Sequence, residues 1–522
     1  MRTDNSIKNS ITSMISYMVK IILGFVGQTL FIRILSIEYL GLNGLFTNIL
    51  YVLGFFELGF GSAIIYNLYK PVAENNVEVV KSLMKFYKKV YNIIAISISA
   101  IGILIIPFLT KIVGEVSVDI NIYIIYILFL FQTVSSYLIS YKKSLIYAHQ
   151  KGYIINNVHM ICLVFFNVLR LLLLYLTKNY YLYLIISTGA QLIENIIGHV
   201  IANKLYPYLL DKNVNKLDSS IEKDIFKKVK ALFFHKVGTV IINGTDNIII
   251  SMFLGIAQVG LYSNYNLIIT YIFNFLSNII TSTTASVGNL LASKEERRFF
   301  DVFKKIRFLN FWIAAFTGTA ILVIVQPFIK LWIGGEYVLS IFVVIVLILN
   351  YYQRTTRITY ITFKDSGGIW YEDRFIPILE AIINIVASIV FLKFFGLAGV
   401  FMGTIASSLI LWCYSYPRLV YKKIFKRNYI NYAIETLGYL AVFILIASVS
   451  LGLSILIKVD NIFVQLVINI VISAVVPNLI MLVLFRKTDN YKYFKELVFK
   501  TLNKIINKFK INNKKENITN EV

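Results

Sequence analysis

The sequence predicts an all-α integral membrane protein of about fourteen transmembrane helices, built as two pseudo-symmetric six-helix lobes plus two C-terminal helices. Three observations carry this prediction: apolar blocks from end to end of the chain, a lopsided distribution of lysine and arginine between them, and an internal repeat.

Of the 522 residues, 58% are hydrophobic and 15% charged, against about 25% charged in a soluble domain. A soluble core also stops growing well before this length. A span needs ~20 mostly apolar residues to cross ~30 Å of hydrocarbon, and the chain offers such blocks at 11–32, 42–66, 90–110, 120–141, 155–177, 180–202, 232–253, 258–281, 307–329, 337–360, 375–395, 397–417, 432–457 and 461–485. Several lack charge but are rich in Tyr, Ser, Thr and Asn, which suits helices that face a polar interior as well as lipid. The first block, Ile11 to Ile32, is long enough to span and no small-residue cleavage site follows it, so it does not read as a signal peptide. Cys162 and Cys413, the only cysteines, lie in separate apolar blocks and read as small buried hydrophobes, with no disulfide framework or zinc spacing.

The net charge of +24 would suggest nucleic acid on a soluble protein. Here the basic residues lie between apolar blocks, and membrane topology explains them. An even number of spans puts both termini on one side. On that side, in the connecting segments or at the span ends that meet them, stand 43 of the 51 lysines and arginines. The other side holds six: Arg33, Lys111, Lys178, Lys330, Lys393 and Lys458. This bias predicts both termini in the cytoplasm. It also supports the span count, since one missed helix would invert everything after it. After Arg486 the tail is Lys- and Asn-rich. Lys492, Lys495, Lys500, Lys504 and Lys508 stand near helical spacing beside Phe494, Leu497 and Ile505, the pattern of a surface-lying amphipathic helix. The last dozen residues have a disordered composition.

The halves resemble each other. Leu35-Ser-Ile-Glu-Tyr-Leu-Gly-Leu42 matches Leu254-Gly-Ile-Ala-Gln-Val-Gly-Leu261 at an offset of 219. Phe86-Tyr-Lys-Lys89 matches Val302-Phe-Lys-Lys305 at 216, and Pro107-Phe108 with Gly114-Glu115 match Pro327-Phe328 with Gly335-Glu336 at 220 and 221. The unit is six spans, an even number, so both copies insert the same way round, as parallel repeats do in some transporter folds. The expected organisation is an N-terminal lobe at 1–210, a C-terminal lobe at 211–430, two additional helices at 431–490 and a basic cytoplasmic tail at 491–522. Two such bundles suit alternating access, with a substrate site between them.

Charges inside spans are the candidate functional residues. Lys20 lies near the middle of span one, Glu57 near the middle of span two, Arg170 in span five, Glu194 and His199 in span six, and Asp246 near the middle of span seven. Each costs roughly 2.5–3.5 kcal/mol on insertion scales, so the set should face a hydrated cavity or pair internally. A polar, partly cationic path is one reading; structural pairs such as Lys20 with Glu57 or Arg170 with Glu194 are the other. At the cytoplasmic ends, Lys142 and Lys143 close span four, and Arg354 and Arg357 share a helical face where span ten ends. They can gather an anionic headgroup or serve as positive-inside anchors. Pro107 and Pro327 come late in their spans and should end or kink them. Gly24-x-x-Gly27 and Gly59-x-Gly61 permit close helix contact. No Walker-type phosphate loop and no HExxH-type zinc motif occurs, and the outer loops are too short to carry a glycan polymerase's catalytic domain. The chain reads as a mover of molecules rather than an enzyme.

Tyr39-Leu-Gly-Leu-Asn-Gly-Leu-Phe46, Glu57-Leu-Gly-Phe-Gly-Ser-Ala63 and Leu68-Tyr-Lys-Pro71, with Thr245-Asp-Asn-Ile-Ile-Ile-Ser251 and Val259-Gly-Leu-Tyr-Ser-Asn-Tyr265, resemble the polysaccharide transport family of oligosaccharide-lipid flippases. That family belongs to the multidrug, oligosaccharidyl-lipid and polysaccharide exporter superfamily. The likeness runs from about Ile7 to Lys423. It implies a bacterial plasma-membrane protein that moves an undecaprenyl-pyrophosphate-linked oligosaccharide to the outer leaflet for capsule or exopolysaccharide assembly. Polymerase and glycosyltransferase partners follow from the same resemblance, as does an ion gradient, Na+ or H+, as the drive, without a bound cofactor. It implies that cationic residues lining the cavity attract the pyrophosphate. Lys20 and Arg33 fit that role, with Arg170, Lys142, Lys143, Arg354 and Arg357 extending the path. Glu57 and Asp246 lie in matching motifs and suit a coupling cation, with Glu194 a third candidate. Tyr-rich faces suit sugar stacking, or interfacial belts. A lipid II flippase or a drug or cation exporter of the same superfamily, a membrane glycosyltransferase, and an assembly scaffold are the competing readings.

Overall fold

The computed structural model describes residues 2–57, 59–292, 296–367, 369, 372–496 and 500. Among these, every regular element is a helix, and each expected span is helical, as one helix or as consecutive helical segments. Span one is α1 (Arg2–Ile34). Span two is broken into α2 (Ile37–Leu53) and α3 (Phe60–Ala73) by a 3-10 turn at Gly54–Glu57. Gly59, at φ 89°, supplies the left-handed residue that restarts the helix, a conformation costly for any residue with a Cβ. There follow α4 (Val77–Ile105), α5 (Leu109–Val113), α6 (Ile122–Ser140), α7 (Lys143–Ala148), α8 (Gly152–Thr177), α9 (Tyr180–Leu205), α10 (Ser219–Leu254), α11 (Ile256–Thr281), α12 (Thr284–Ala292), α13 (Glu296–Trp332), α14 (Ile341–Ser366), α15 (Ile376–Phe395), α16 (Leu397–Ile410), α17 (Tyr429–Leu456) and α18 (Ile462–Phe485).

Eleven of these stretches are long and apolar enough to cross a membrane by themselves. The other three expected spans fall short for physical reasons. Span two is cut by its break. In α11, Asn264, Asn266, Asn274 and Asn278 dilute the hydropathy, and α14 carries Arg354, Arg357, Lys364 and Asp365.

Several helices outrun the apolar blocks. α4 starts at Val77 and not near 90, capped by Asn76, whose side chain accepts from Val79 N. α10 starts at Ser219, capped by Asp218, and α13 starts at Glu296. α14 runs to Ser366, so Arg354 and Arg357 stand about 14–18 Å inside its end, not where the helix stops. Pro107 sits in a 3-10 turn that ends α4, whereas α13 continues through Pro327 to Trp332. After α16 the chain widens into a π-helix, Leu411–Ile424, around Pro417, which cannot donate to the α-helical ladder. Cys162 is buried but Cys413, on that π-helix, is exposed.

The chain forms two compact units. The first comprises 1–271, 332–346 and 370–415. In it α1 packs on α8, α8 on α9, α9 on α6, α6 on α4, and α4 on α3, while α10 packs on α2, α3, α15 and α16. The repeat meets itself here. A Cβ at Gly41 would lie 2.2 Å from the Ile256 carbonyl oxygen, and a Cβ at Gly260 would lie 2.4 Å from the Ile37 carbonyl oxygen. Gly41 and Gly260, like Ile37 and Ile256, are equivalent under the offset of 219. Reciprocal contact of equivalent residues is what a two-fold axis between like elements produces.

The second unit comprises 272–331, 347–369 and 416–522. Its centre is aromatic: Phe303, Phe363 and Tyr421 are fully buried, and Tyr352 stacks on Phe443 at 4.0 Å. Residues 489–496 are helical. In that segment Phe494 is buried and stacked on Phe308, while Lys492 and Lys495 are exposed. Leu497, Lys504, Ile505 and Lys508 lie outside the described residues. In both units large apolar side chains face outward along the spans, among them Phe394, Leu456 and Val483, as lipid contact requires.

Candidate functional site

The candidate site residues of the first unit fall into three groups. The first is cationic. Lys20 and Arg33 are exposed on α1, which packs on α8, the helix of Arg170. Arg170 is half-buried. Its guanidinium donates to Asn167 Oδ1 and Ser187 Oγ and lies 4.9 Å from the Tyr183 ring. Tyr183 in turn stands 5.2 Å from Phe31 of α1. Arg170 Nε is buried without a hydrogen-bond partner, and no carboxylate among the described residues pairs with this guanidinium.

The second group is an ion cluster. Glu194 of α9 accepts from Lys143 Nζ at 3.1 Å and meets His159 Nδ1 of α8 at 2.9 Å. Lys143 also reaches Asn195 Oδ1 at 2.8 Å. Glu194 therefore pairs with Lys143 and not with Arg170, and it ties α7, α8 and α9 together. His199 stands edge-on to Tyr141. Lys142, adjacent to Lys143 in sequence, turns the other way, where its ammonium donates to Asn203 Oδ1. Burial and the charge of Lys88 lower its pKa.

The third group surrounds the break in span two. Glu57 accepts from Gly61 N at 3.1 Å and from Tyr91 Oη at 3.2 Å. Tyr91 accepts from Tyr87 Oη at 3.0 Å, and Tyr87 from Ser144 Oγ at 3.2 Å. Three buried hydroxyls thus run from the α7 end of the bundle to an intramembrane carboxylate. Lys20 makes no ion pair with Glu57. The turn that holds Glu57 packs against α10, the helix of Asp246, so the structure sets the two motif carboxylates on neighbouring elements.

Arg354 and Arg357 belong to the second unit, half-buried on α14. The Arg354 guanidinium lies 3.9 Å from the Phe273 ring centroid. That unit also contains an ionic centre that span reading overlooked. Arg307 of α13, 5% exposed, donates to Glu435 Oε2 and Tyr421 Oη, and to Thr436 Oγ1 at 3.0 Å. It also faces the ring of Tyr439 at 5.1 Å. Glu435 lies within the block at 432–457, and its charge inside an apolar run was the available signal.

Residues 6–285 match the family described as polysaccharide biosynthesis protein, more than half of the chain. The chain belongs to that family. The fold is that of flippases and exporters already solved. A lipid II flippase, MurJ, in an inward closed conformation superposes with a TM-score of 0.63 at 15% identity, covering 92% of this chain and 99% of that one. An inward-facing multidrug resistance transporter of the MATE family gives 0.57 at 13% identity, over 78% of this chain and 95% of that one. A Vibrio cholerae MATE transporter, VcmN, gives 0.55 at 12% identity, over 82% and 99%. At these identities the likeness is one of fold. No curated protein matches the chain by sequence. This member of the family is thus a multi-pass membrane protein with a flippase and transporter fold.

Proposed function

We propose that this protein is a flippase that carries an undecaprenyl-pyrophosphate-linked oligosaccharide from the inner to the outer leaflet of a bacterial plasma membrane, supplying capsule or exopolysaccharide assembly. Both termini would lie in the cytoplasm. The lobes at 1–210 and 211–430 would alternate access to a path between them. The observation that carries this reading is Arg170: a guanidinium inside a span, held by neutral groups only. Such a charge is expensive in a bilayer, and it is retained where an anion visits. A pyrophosphate offers oxygen pairs that match the guanidinium fork. Lys20 and Arg33, on the adjoining helix, would extend the attraction. The lipid tail would stay in the bilayer while the glycan crosses a polar path.

The drive we assign to protons, with Glu57 as the group that takes them up. The hydroxyl chain Ser144–Tyr87–Tyr91 supports this, because each hydroxyl can donate to the next and accept from the one before. Neutralising Glu57 would relax its hold on Gly61 and Tyr91 at the one break in span two. A polymerase and glycosyltransferases would act before and after the flip.

The test is deletion of the gene followed by identification of the lipid-linked material that accumulates. A pyrophosphate-linked oligosaccharide repeat unit trapped on the inner leaflet is the expected outcome. Accumulation of lipid II instead, or no lipid intermediate with loss of drug export, would overturn the substrate class. Purified protein that extends or transfers glycan unaided would overturn the reading as a flippase.

A further inference from the structure

Lys142 and Lys143 are neighbours in sequence and opposites in environment. Glu194 neutralises Lys143. Lys142 is 6% exposed, and the partner of its ammonium is the neutral amide oxygen of Asn203. Lys142 lines a cleft of about 220 Å³ together with Lys81, Lys85, Lys88 and Lys212. Asp211 is the one acid in that lining, and Lys81, which also pairs with Glu78, already holds it at 3.1 Å. Lys85 Nζ donates to the Val214 carbonyl. Among the described residues Lys88, Lys142 and Lys212 have no carboxylate partner. A buried ammonium without a counter-charge is costly, and like-charged Lys88 beside it raises the cost. An anion entering the cleft removes both penalties.

The rest of the wall selects among anions. Met84 and Leu209 are apolar, and Tyr141 and Tyr208 are of the kind that gathers at membrane interfaces. The cleft lies where α6 ends, beside the first turns of α4 and the segment after α9. Tyr141 and Lys142 directly follow the apolar span Ile122–Ser140, the position at which a span meets lipid headgroups. Soluble phosphate would use the lysines and leave the apolar wall wet. An acidic phospholipid would use both, as basic pockets between membrane helices do.

We propose that this cleft binds the phosphate of an acidic membrane phospholipid, with the start of its acyl region against Met84 and Leu209. The inference does not depend on what the protein carries. It is tested by native mass spectrometry of the purified full chain titrated with phosphatidylglycerol, phosphatidylcholine or inorganic phosphate. Lys88→Gln/Lys212→Gln is the first variant, since both side chains are exposed and the fold does not need them; Lys142→Gln is added second. At about fivefold per lysine, the double variant should hold phosphatidylglycerol roughly 25-fold more weakly than the wild type. Phosphatidylcholine should bind less well, and millimolar phosphate should not displace the lipid. Equal retention by variant and wild type, or phosphatidylcholine held as tightly as phosphatidylglycerol, would refute the site. Displacement by inorganic phosphate would refute the lipid and leave a soluble anion.

Discussion

Lys143 Nζ lies 3.1 Å from Glu194 Oε1, and the other oxygen of that carboxylate lies 2.9 Å from His159 Nδ1. One side chain therefore joins three helices of the first unit. The Lys143 and Glu194 side chains are 13% and 20% exposed, too buried for water to compensate a lost partner. Lys143→Met should destabilise the protein by roughly 2–4 kcal/mol, read as a lower Tm in detergent. Adding Glu194→Gln removes the orphaned charge and should return part of the loss. A double variant less stable than Lys143→Met would mean that the pair is not coupled.

Gly41 and Gly260 make the same contact from opposite sides, each against the other helix's backbone. Backbone cannot step aside as a side chain can, so Gly41→Ala and Gly260→Ala should each cost about 1–3 kcal/mol. The equivalence predicts similar losses at the two positions. Thermal unfolding of both variants is the check, and a loss at one position with none at the other would contradict the two-fold contact.

Arg170→Met should weaken binding of a pyrophosphate-linked lipid by roughly tenfold to a hundredfold, the worth of a charge-assisted hydrogen bond. Arg170→Lys keeps the charge but loses the fork and the Tyr183 stack, so it should fall between. The measurement is lipid titration by native mass spectrometry alongside flipping in proteoliposomes. Wild-type affinity in Arg170→Met would remove this residue from the path.

Glu57→Gln fixes the side chain in a neutral form. Flipping should then cease to respond to an imposed proton gradient, while substrate still binds. Tyr91→Phe removes the last hydroxyl before the carboxylate and should slow gradient-driven flipping without changing lipid affinity. A Tyr91→Phe protein with wild-type gradient response would exclude the hydroxyl chain as the proton route.

The spans were legible because apolar length is a property of local sequence, and so was the repeat that pairs Gly41 with Gly260 by offset; that these two glycines sit where the repeats touch was not, because an offset along the chain does not say which faces meet. The helical extensions at Val77, Ser219 and Glu296 were not legible. They continue in helical register with polar residues, and the hydropathy that marks a span says nothing about them. The individual charges of the site were legible for the same reason that they are costly. Their partners were not. Glu194 finds Lys143 because α7 packs against α9, and Arg170 finds Tyr183 because α8 and α9 pack side by side; neither follows from spacing along the chain. Arg307 stood at the drawn edge of its span, where it resembled an anchor.

That last centre carries the most severe expected effect. Arg307 is nearly inaccessible, and Glu435 is its anionic partner, reaching it from α17. Glu435→Ala leaves a buried guanidinium among tyrosines and Thr436, and should cost about 3–5 kcal/mol. Because Glu435 and Thr436 both lie on α17, the loss should appear first as loosening of that helix from α13. Limited proteolysis between Phe425 and Tyr429, the junction before α17, is the direct readout. Arg307→Met/Glu435→Met replaces the pair by apolar volume and should recover much of the stability. Protection of the junction in Glu435→Ala equal to that of the wild type would show that packing of α17, and not the ion pair, holds the helix in place.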